Sequence, residues 1–84
     1  MKIFYHPRFK DSYALLIASV QGKAERKELI FRKNTFDPRL DTHKLHGRLK
    51  DKWSFSVDRE YRILFEFDDG DVVFLDIGDH DLYK

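Results

Sequence analysis

Apolar and polar residues alternate through much of the second half of the chain, which is the pattern of half-buried β-strands. Residues 53–57 read WSFSV, and a second alternating run follows over residues 61–67. Residues 72–77 are almost continuously apolar, as in a strand inside a sheet. Asp69-Gly70, between the last two runs, is a strong hairpin signal. This half therefore predicts three strands joined by short turns, which makes them antiparallel.

The first half predicts a short strand followed by two helices. The strand is expected over KIFYH, and Pro7 suits the first turn of a helix because its missing N–H is no loss there. Gly22 is placed to end this helix in a left-handed cap, and a more polar helix is expected from Lys23 to about Lys33. Asn34 and the following Asp-Pro would stop it. The apolar stripe of the first helix, at spacings i, i+4, i+7, i+8 and i+11, is Phe9, Tyr13, Leu16, Ile17 and Val20.

Together these elements predict an α+β fold in one domain, residues 1–84, in β-α-α-β-β-β order. The antiparallel sheet has four to five strands, counting a possible strand around Thr42–Leu45, and both helices pack on one face. Because the helices cover the large apolar residues, Ser54, Ser56 and Arg62 are expected on the opposite, open face. An arginine there is well placed to bind an anion, although it can equally be an ordinary solvent-facing residue.

Composition narrows the class of protein further. The chain has 84 residues and no cysteine, so disulfides and cysteine-ligated zinc are excluded. No secretory signal is visible, and the longest apolar run, ALLIASV, is far too short to cross a bilayer. We therefore expect a soluble cytoplasmic protein without a membrane partner.

The net charge of +1 hides a division between the two ends of the chain. Residues 1–57 carry thirteen Lys/Arg and six Asp/Glu, which gives +7, whereas residues 58–84 carry three and nine, which gives −6. This division indicates a polyanionic partner on one surface and a basic or cationic partner on another, or else only a solvated surface of mixed charge. Four cationic residues follow or are interleaved with His43 and His46: Lys44, Arg48, Lys50 and Lys52. They form either a phosphate-binding edge or a solubilising loop.

Four histidines could take part in chemistry. His43 and His46 lie three apart, but an extended segment would turn them to opposite faces, so a metal site with His80 and Asp81 is disfavoured. A second arrangement needs no metal. A histidine base, a histidine or tyrosine acid and an arginine for developing charge suffice to cleave RNA through its own 2′-OH. Strand pairing supports it, because the end of the last strand is expected beside Tyr61 and Arg62.

The run HKLHG…W…YRILF…IGDHD has the order and spacing of the RelE/ParE superfamily of bacterial toxins. The chain resembles in particular the RelE/StbE-type mRNA interferases of type II toxin–antitoxin pairs. The resemblance covers nearly the whole chain and is densest over residues 42–67 and 72–84. It implies an endoribonuclease that cuts mRNA in the 30S decoding site of the ribosome. It also implies a cognate antitoxin that wraps over the fold, and neither a metal nor a small-molecule cofactor.

The resemblance also assigns roles to residues. Arg62 of EYRILF looks like the arginine that stabilises the scissile phosphate, and His80 of GDHD looks like the histidine acid or base of the histidine-bearing branch. His43 of THKLHG is similar to a second active-site histidine, and Asp81 and Tyr83 match the terminal acidic and aromatic residues. Where some relatives have lysine or arginine after the last strand, this chain has His80, which implies histidine-based chemistry.

Two alternatives stay open within the same superfamily. A ParE-like toxin would inhibit gyrase by binding it and would leave the histidines without an evident role. A non-catalytic relative would only bind its antitoxin or nucleic acid, which the low net charge favours.

Overall fold

A computed structural model of the chain describes residues 1–83. The predicted order of elements is confirmed, with a two-residue strand in the basic connection. Short 3₁₀ turns cover Pro38–Leu40, Gly47–Leu49 and His80–Tyr83. The helices and strands are β1 (Ile3–Tyr5), α1 (Pro7–Ala14), α2 (Ala18–Lys33), β2 (His43–Lys44), β3 (Trp53–Ser56), β4 (Arg62–Asp68) and β5 (Asp71–Gly78).

The five strands form one sheet in the order β1-β5-β4-β3-β2. The predicted α+β class is confirmed, and the pairs β2–β3, β3–β4 and β4–β5 are antiparallel as expected. The pairing of β1 with β5 is parallel, so the sheet is mixed. The helices carry the chain away from β1 before β2 begins, so no turn dictates the direction of β1.

The predicted boundary between the helices is wrong. We expected one helix to end at Gly22, but α1 ends at Ala14 and α2 begins at Ala18, so that Gly22 lies inside α2. The Tyr13 carbonyl at the end of α1 accepts hydrogen bonds from the Leu16 N–H, at 3.1 Å, and from Gln21 Nε2, at 2.9 Å. These bonds satisfy a carbonyl that a helix end leaves without an intrahelical partner. A glycine inside a helix lowers its stability but does not end it.

The predicted apolar stripe is consequently shared between two helices. Phe9 on α1 and Val20 on α2 are buried in the core, whereas Ile17, at the junction, is 70% exposed. No helix among residues 1–83 is long and apolar enough to span a membrane.

Phe31 of α2 lies at the centre of the core and is fully buried. Its ring centroid is 4.7 Å from that of Phe55, 5.0 Å from Phe65 and 5.4 Å from Phe74, which come from β3, β4 and β5. Edge-to-face and offset stacking at such distances adds to the burial of apolar area. Trp53 packs against this cluster and is partly buried.

Two local features shape β4 and β5. Asp69 and Gly70 have φ values of 50° and 88°, so both central residues of the hairpin adopt positive φ, as a type I′ turn requires. Further along, the register shifts between Leu64 and Phe65, whose partners on β5 are Asp76 and Phe74. Leu75 is therefore an extra residue in β5 and forms a β-bulge. The bulge changes the direction in which the neighbouring side chains project.

Candidate functional site

The register of the sheet places the candidate side chains on its open face. Residues paired across neighbouring strands project from the same side of a sheet. The strand pairs therefore define two adjacent rows, His43-Ser54-Leu64-Asp76 and Ser56-Arg62-Gly78. The predicted orientation of Ser54, Ser56 and Arg62 follows from these pairs.

The Arg62 side chain is held in one orientation by two neighbouring residues. Its Nε donates to Ser54 Oγ at 2.9 Å, and its Nη2 donates to the Asp41 carbonyl at 2.8 Å. Ser54 is fully buried, so its hydroxyl is shielded from competing water. A longer ion pair, 3.4 Å, joins Nη1 to the Asp41 carboxylate. The guanidinium therefore keeps a fixed position on the open face.

Asp41 reaches Arg62 mainly through its backbone. It follows the 3₁₀ turn at Pro38–Leu40 in a left-handed conformation, with φ 48° and ψ 48°. Asp and Asn adopt this conformation more readily than other non-glycine residues. The carboxylate is 76% exposed, whereas the carbonyl contacts both Arg62 and His43. Sequence reasoning did not identify Asp41, because a backbone contact leaves no signature in residue types. It placed Ser54 on the open face but assigned it no contact with Arg62.

His43 lies beside Arg62 on the open face. Its Nδ1 is 3.1 Å from the Asp41 carbonyl and 3.2 Å from Arg62 Nη2. A carbonyl oxygen has two lone pairs, so it can accept from Arg62 and from a protonated Nδ1 together. With Nδ1 protonated, Nε2 carries the unshared lone pair and can accept a proton. With Nδ1 unprotonated, Arg62 Nη2 donates to Nδ1 instead and Nε2 carries the hydrogen.

The C-terminal turn begins close to the same site. Gly78 is the strand partner of Arg62, and His80 follows two residues later with its side chain 84% exposed. His80 Nε2 lies 3.5 Å from Asp81 Oδ1, a pair that is ionic only when the imidazole is protonated. Within residues 1–83, neither a hydrogen bond nor an ion pair links His80 to Arg62 or His43.

Tyr83 is partly buried, and its hydroxyl group is shielded from water without a hydrogen-bond partner among residues 1–83. Across the same part of the chain, no group of three or more histidine, cysteine or acidic side chains is placed to hold a metal ion.

The four cationic residues of the predicted phosphate-binding edge differ in the side of the sheet they project from and in whether their charge is paired. Lys52 donates to Glu66 at 2.6 Å, so its charge is paired. Lys44 is paired with Trp53 in the sheet and therefore projects from the helix-bearing side, opposite to His43. Arg48 and Lys50 are exposed around the 3₁₀ turn at Gly47–Leu49, and neither forms an ion pair within the described chain.

An open groove of about 430 Å³ lies next to these residues, and we call it the open-face groove. The apolar part of its lining, which we call its floor, is Leu49, Leu64, Leu75 and Leu82. Its polar lining is His6, Arg8, Lys52 and Asp76. Of these, sequence reasoning named Lys52 as a site residue and counted His6 only among the four histidines. A signal existed for His6, since a polar residue directly before a helix-starting proline is a candidate N-cap, and His6 Nδ1 indeed accepts from the Arg8 N–H at 3.0 Å.

A larger groove, of about 550 Å³, lies on the helix side between α1 and α2. Two hydrogen bonds of 2.5 Å line it, from Tyr13 to Glu25 and from Tyr5 to Glu28. The bond to the Glu25 carboxylate raises the pKa of Tyr13 to about 12. None of the predicted site residues lines this groove, so we place the candidate site on the open face.

No protein-family model matches the sequence, and no curated protein matches it. Solved structures do match. YafQ from E. coli strain BL21(DE3) is 16% identical with a TM-score of 0.81, over 98% of this chain and 96% of that one. The YoeB/ParE toxin from Agrobacterium tumefaciens is 18% identical with a TM-score of 0.80, over 95% and 99%. The YoeB dimer from Staphylococcus aureus is 17% identical with a TM-score of 0.76, over 95% and 97%.

Two further similar structures are complexes. They are the DinJ–YafQ toxin–antitoxin complex of E. coli and the YoeB–YefM complex of Staphylococcus aureus. At such low identity the likeness shows the fold alone. The chain therefore has the fold of these toxins, and the fold implied by the resemblance to the RelE/ParE superfamily is confirmed.

Proposed function

We propose that this chain is the toxin of a type II toxin–antitoxin pair and belongs to the RelE/ParE superfamily as a single domain. On this proposal it is a cytoplasmic, metal-independent endoribonuclease that cuts mRNA on the ribosome. The observation that carries the proposal is the pair formed by Arg62 and His43. Both side chains contact the same Asp41 carbonyl on the open face of a fold that solved toxins share.

The proposed reaction uses groups that the open face presents. His43 Nε2 removes the proton from a 2′-hydroxyl, and the 2′-oxygen attacks the adjacent phosphorus. Negative charge grows on the phosphoryl oxygens, and the Arg62 guanidinium stabilises it. The bond to the 5′-oxygen breaks, and protonated His80 donates a proton to that leaving oxygen. The products are a 2′,3′-cyclic phosphate and a 5′-hydroxyl.

Arg62 keeps hydrogen-bonding capacity for the phosphate. A guanidinium has five N–H donors, and the bonds to Ser54 and the Asp41 carbonyl occupy only two of them. The contact with the exposed Asp41 carboxylate is long, at 3.4 Å. A phosphate can therefore displace that carboxylate without disturbing the two shorter bonds that orient the arginine.

The proposed partners are mRNA with the 30S decoding site, and a cognate antitoxin. Exposed Arg48 and Lys50, close to β2, supply positive charge for rRNA or mRNA phosphates. The complexes of YafQ with DinJ and of YoeB with YefM support an antitoxin as the protein partner. Asp81 and Tyr83 follow His80 in the same turn and are proposed to assist it.

The test is cleavage of mRNA on purified ribosomes. We expect Arg62→Ala to slow cleavage by about 100-fold or more, and His43→Ala and His80→Ala by about 100-fold each. Arg59→Ala is the matched control, because Arg59 is exposed in the β3–β4 turn and contacts no other charged group within residues 1–83. Full cleavage by Arg62→Ala would refute the proposal. Inhibition of DNA supercoiling by gyrase without RNA cleavage would favour the gyrase alternative.

A further inference from the structure

We infer that the open-face groove is a subsite for one nucleobase of the RNA, and that it prefers guanine. This inference rests on the proposed function, because it concerns the nucleotide next to the one that is cut. Leu64 joins the groove to the catalytic residues. It lies two residues after Arg62 on β4, on the same face, and in the row that begins at His43.

The floor of the groove suits the flat face of a base. Four leucines from four separate parts of the chain form it: Leu49, Leu75 and Leu82 are partly accessible, and Leu64 is buried. The β-bulge brings Leu75 into this floor next to Asp76. Concave sites with an apolar lining and a few well-placed polar groups are typical of small planar ligands. A base can bury its faces here while its edge meets the polar lining.

Asp76 supplies the group that would read the edge of the base. Its Oδ1 accepts from the Ile77 N–H at 2.8 Å, which fixes the side chain, while a carboxylate has further lone pairs on both oxygens. Two carboxylate oxygens match two adjacent N–H donors. Guanine is the RNA base whose Watson–Crick edge offers such a pair, from N1–H and the N2 amino group, so the carboxylate selects guanine.

The remaining charges select a nucleotide over a simple cation or an apolar peptide. Arg8 is exposed at the groove, and its side chain has no hydrogen-bond or ionic partner within residues 1–83. The charge of Lys52 is already paired with Glu66. The groove thus offers one unpaired cation and one carboxylate. A nucleotide carries the complementary pair, an anionic phosphate for Arg8 and a donor edge for Asp76.

The experiment measures the binding of four short single-stranded RNAs that differ only at one base. A 2′-deoxy substitution at the cleavage position prevents turnover, and fluorescence anisotropy at fixed salt gives each Kd. We expect the guanine RNA to bind about 10- to 100-fold more tightly than the others, as for one bidentate base contact. Asp76→Asn should remove this preference, whereas Asp69→Asn, at the exposed hairpin, should keep it.

Arg8→Ala gives a second readout. It should weaken all four RNAs by a similar factor, because a phosphate contact carries no base information. Lys10→Ala is its matched control, since Lys10 lies on the same helix but lines the helix-side groove. Thermal unfolding of each variant checks that the loss of binding is not a loss of fold.

Two results would overturn the inference. Equal binding of the four RNAs, or a guanine preference that survives Asp76→Asn, would exclude the subsite. If Arg62→Ala still abolished cleavage in that case, the proposed function would stand without it. If the wild-type protein neither bound nor cleaved RNA, both proposals would fall together.

Discussion

At the scale of single residues, Ser54 orients the arginine on which the proposed chemistry depends. Its fully buried hydroxyl accepts the Nε–H of Arg62. We expect Ser54→Ala to lower the free energy of unfolding by about 1.5–3 kcal/mol, because a hydrogen bond to a charged group is lost in a buried place. Cleavage should fall by about tenfold or more, because the guanidinium is then free to rotate. Urea unfolding and ribosomal cleavage assays measure the two effects.

Ser56→Ala is the control for this substitution. Ser56 is on the same strand and is the register partner of Arg62, but its hydroxyl donates to the Asp58 carbonyl. The Ser56→Ala protein should be somewhat less stable than the wild type, but each folded molecule should cleave RNA at the wild-type rate. A Ser54→Ala protein as active as Ser56→Ala would show that Ser54 does not position Arg62.

At the scale of elements, Gly22 tests where the helices end. Because Gly22 lies inside α2 without a positive φ, alanine is compatible with its backbone. An added Cβ would meet only Arg26 Nη1, at an ordinary 3.5 Å. We expect Gly22→Ala to raise the free energy of unfolding by about 0.5–1 kcal/mol, as measured by urea unfolding. If Gly22 were a left-handed cap, the same change would destabilise the protein.

The turn from β3 to β4, which delivers Arg62, depends on Asp58. Its Oδ1 accepts from the N–H groups of Glu60 and Tyr61, both at 2.8 Å. Partial burial opposes ionisation, but these two bonds and the Lys23 ammonium outweigh it, so the pKa of Asp58 is lowered. Asp58→Ala should lower the free energy of unfolding by about 1–2 kcal/mol at neutral pH.

The sign of the pH dependence follows from the lowered pKa. The ionised carboxylate stabilises the folded state above the ordinary value of 3.8, and this contribution is lost as the pH falls through the lower folded value. The wild type and Asp58→Ala should therefore converge in stability below about pH 4 in acid titrations followed by circular dichroism. Lys23→Ala should change stability by less than about 0.5 kcal/mol, because that pair is exposed. A difference in stability between the wild type and Asp58→Ala that grew as the pH fell would contradict this account.

At the scale of the whole molecule, Phe31 joins α2 to the three central strands. It is fully buried, stacks on Phe55 of β3 and meets the rings of Phe65 and Phe74, from β4 and β5, edge to face. Phe31→Ala should lower the free energy of unfolding by about 3–5 kcal/mol, a large share of the stability of so small a domain. Urea unfolding measures it. Leu29→Ala, on the same helix but 63% exposed, should cost less than about 0.5 kcal/mol. Similar losses for both would mean that α2 is not anchored through Phe31.

Local patterns predicted much of this fold. The period-two alternation over residues 53–67 placed Arg62 on the open face, because alternation depends only on neighbours along one strand. Asp69-Gly70 predicted the hairpin because positive φ is a property of those residues. The helix boundary escaped prediction, since the apolar period ran on through residues 15–17, where the chain turns. The parallel pairing of β1 with β5 escaped it too, because no turn between them constrains it.

The sequence by itself determined the element types and the fold class. It also identified Arg62 and His43 as candidate site residues, His43 through the family resemblance. Only the tertiary structure decided that the Asp41 carbonyl contacts both side chains and that the Ser54 hydroxyl accepts from the guanidinium. It also decided that His6, Arg8 and Asp76 share one groove. The physical reason is distance along the chain. Period and turn chemistry act over a few residues, whereas these groups come from different elements and meet only when the sheet has assembled.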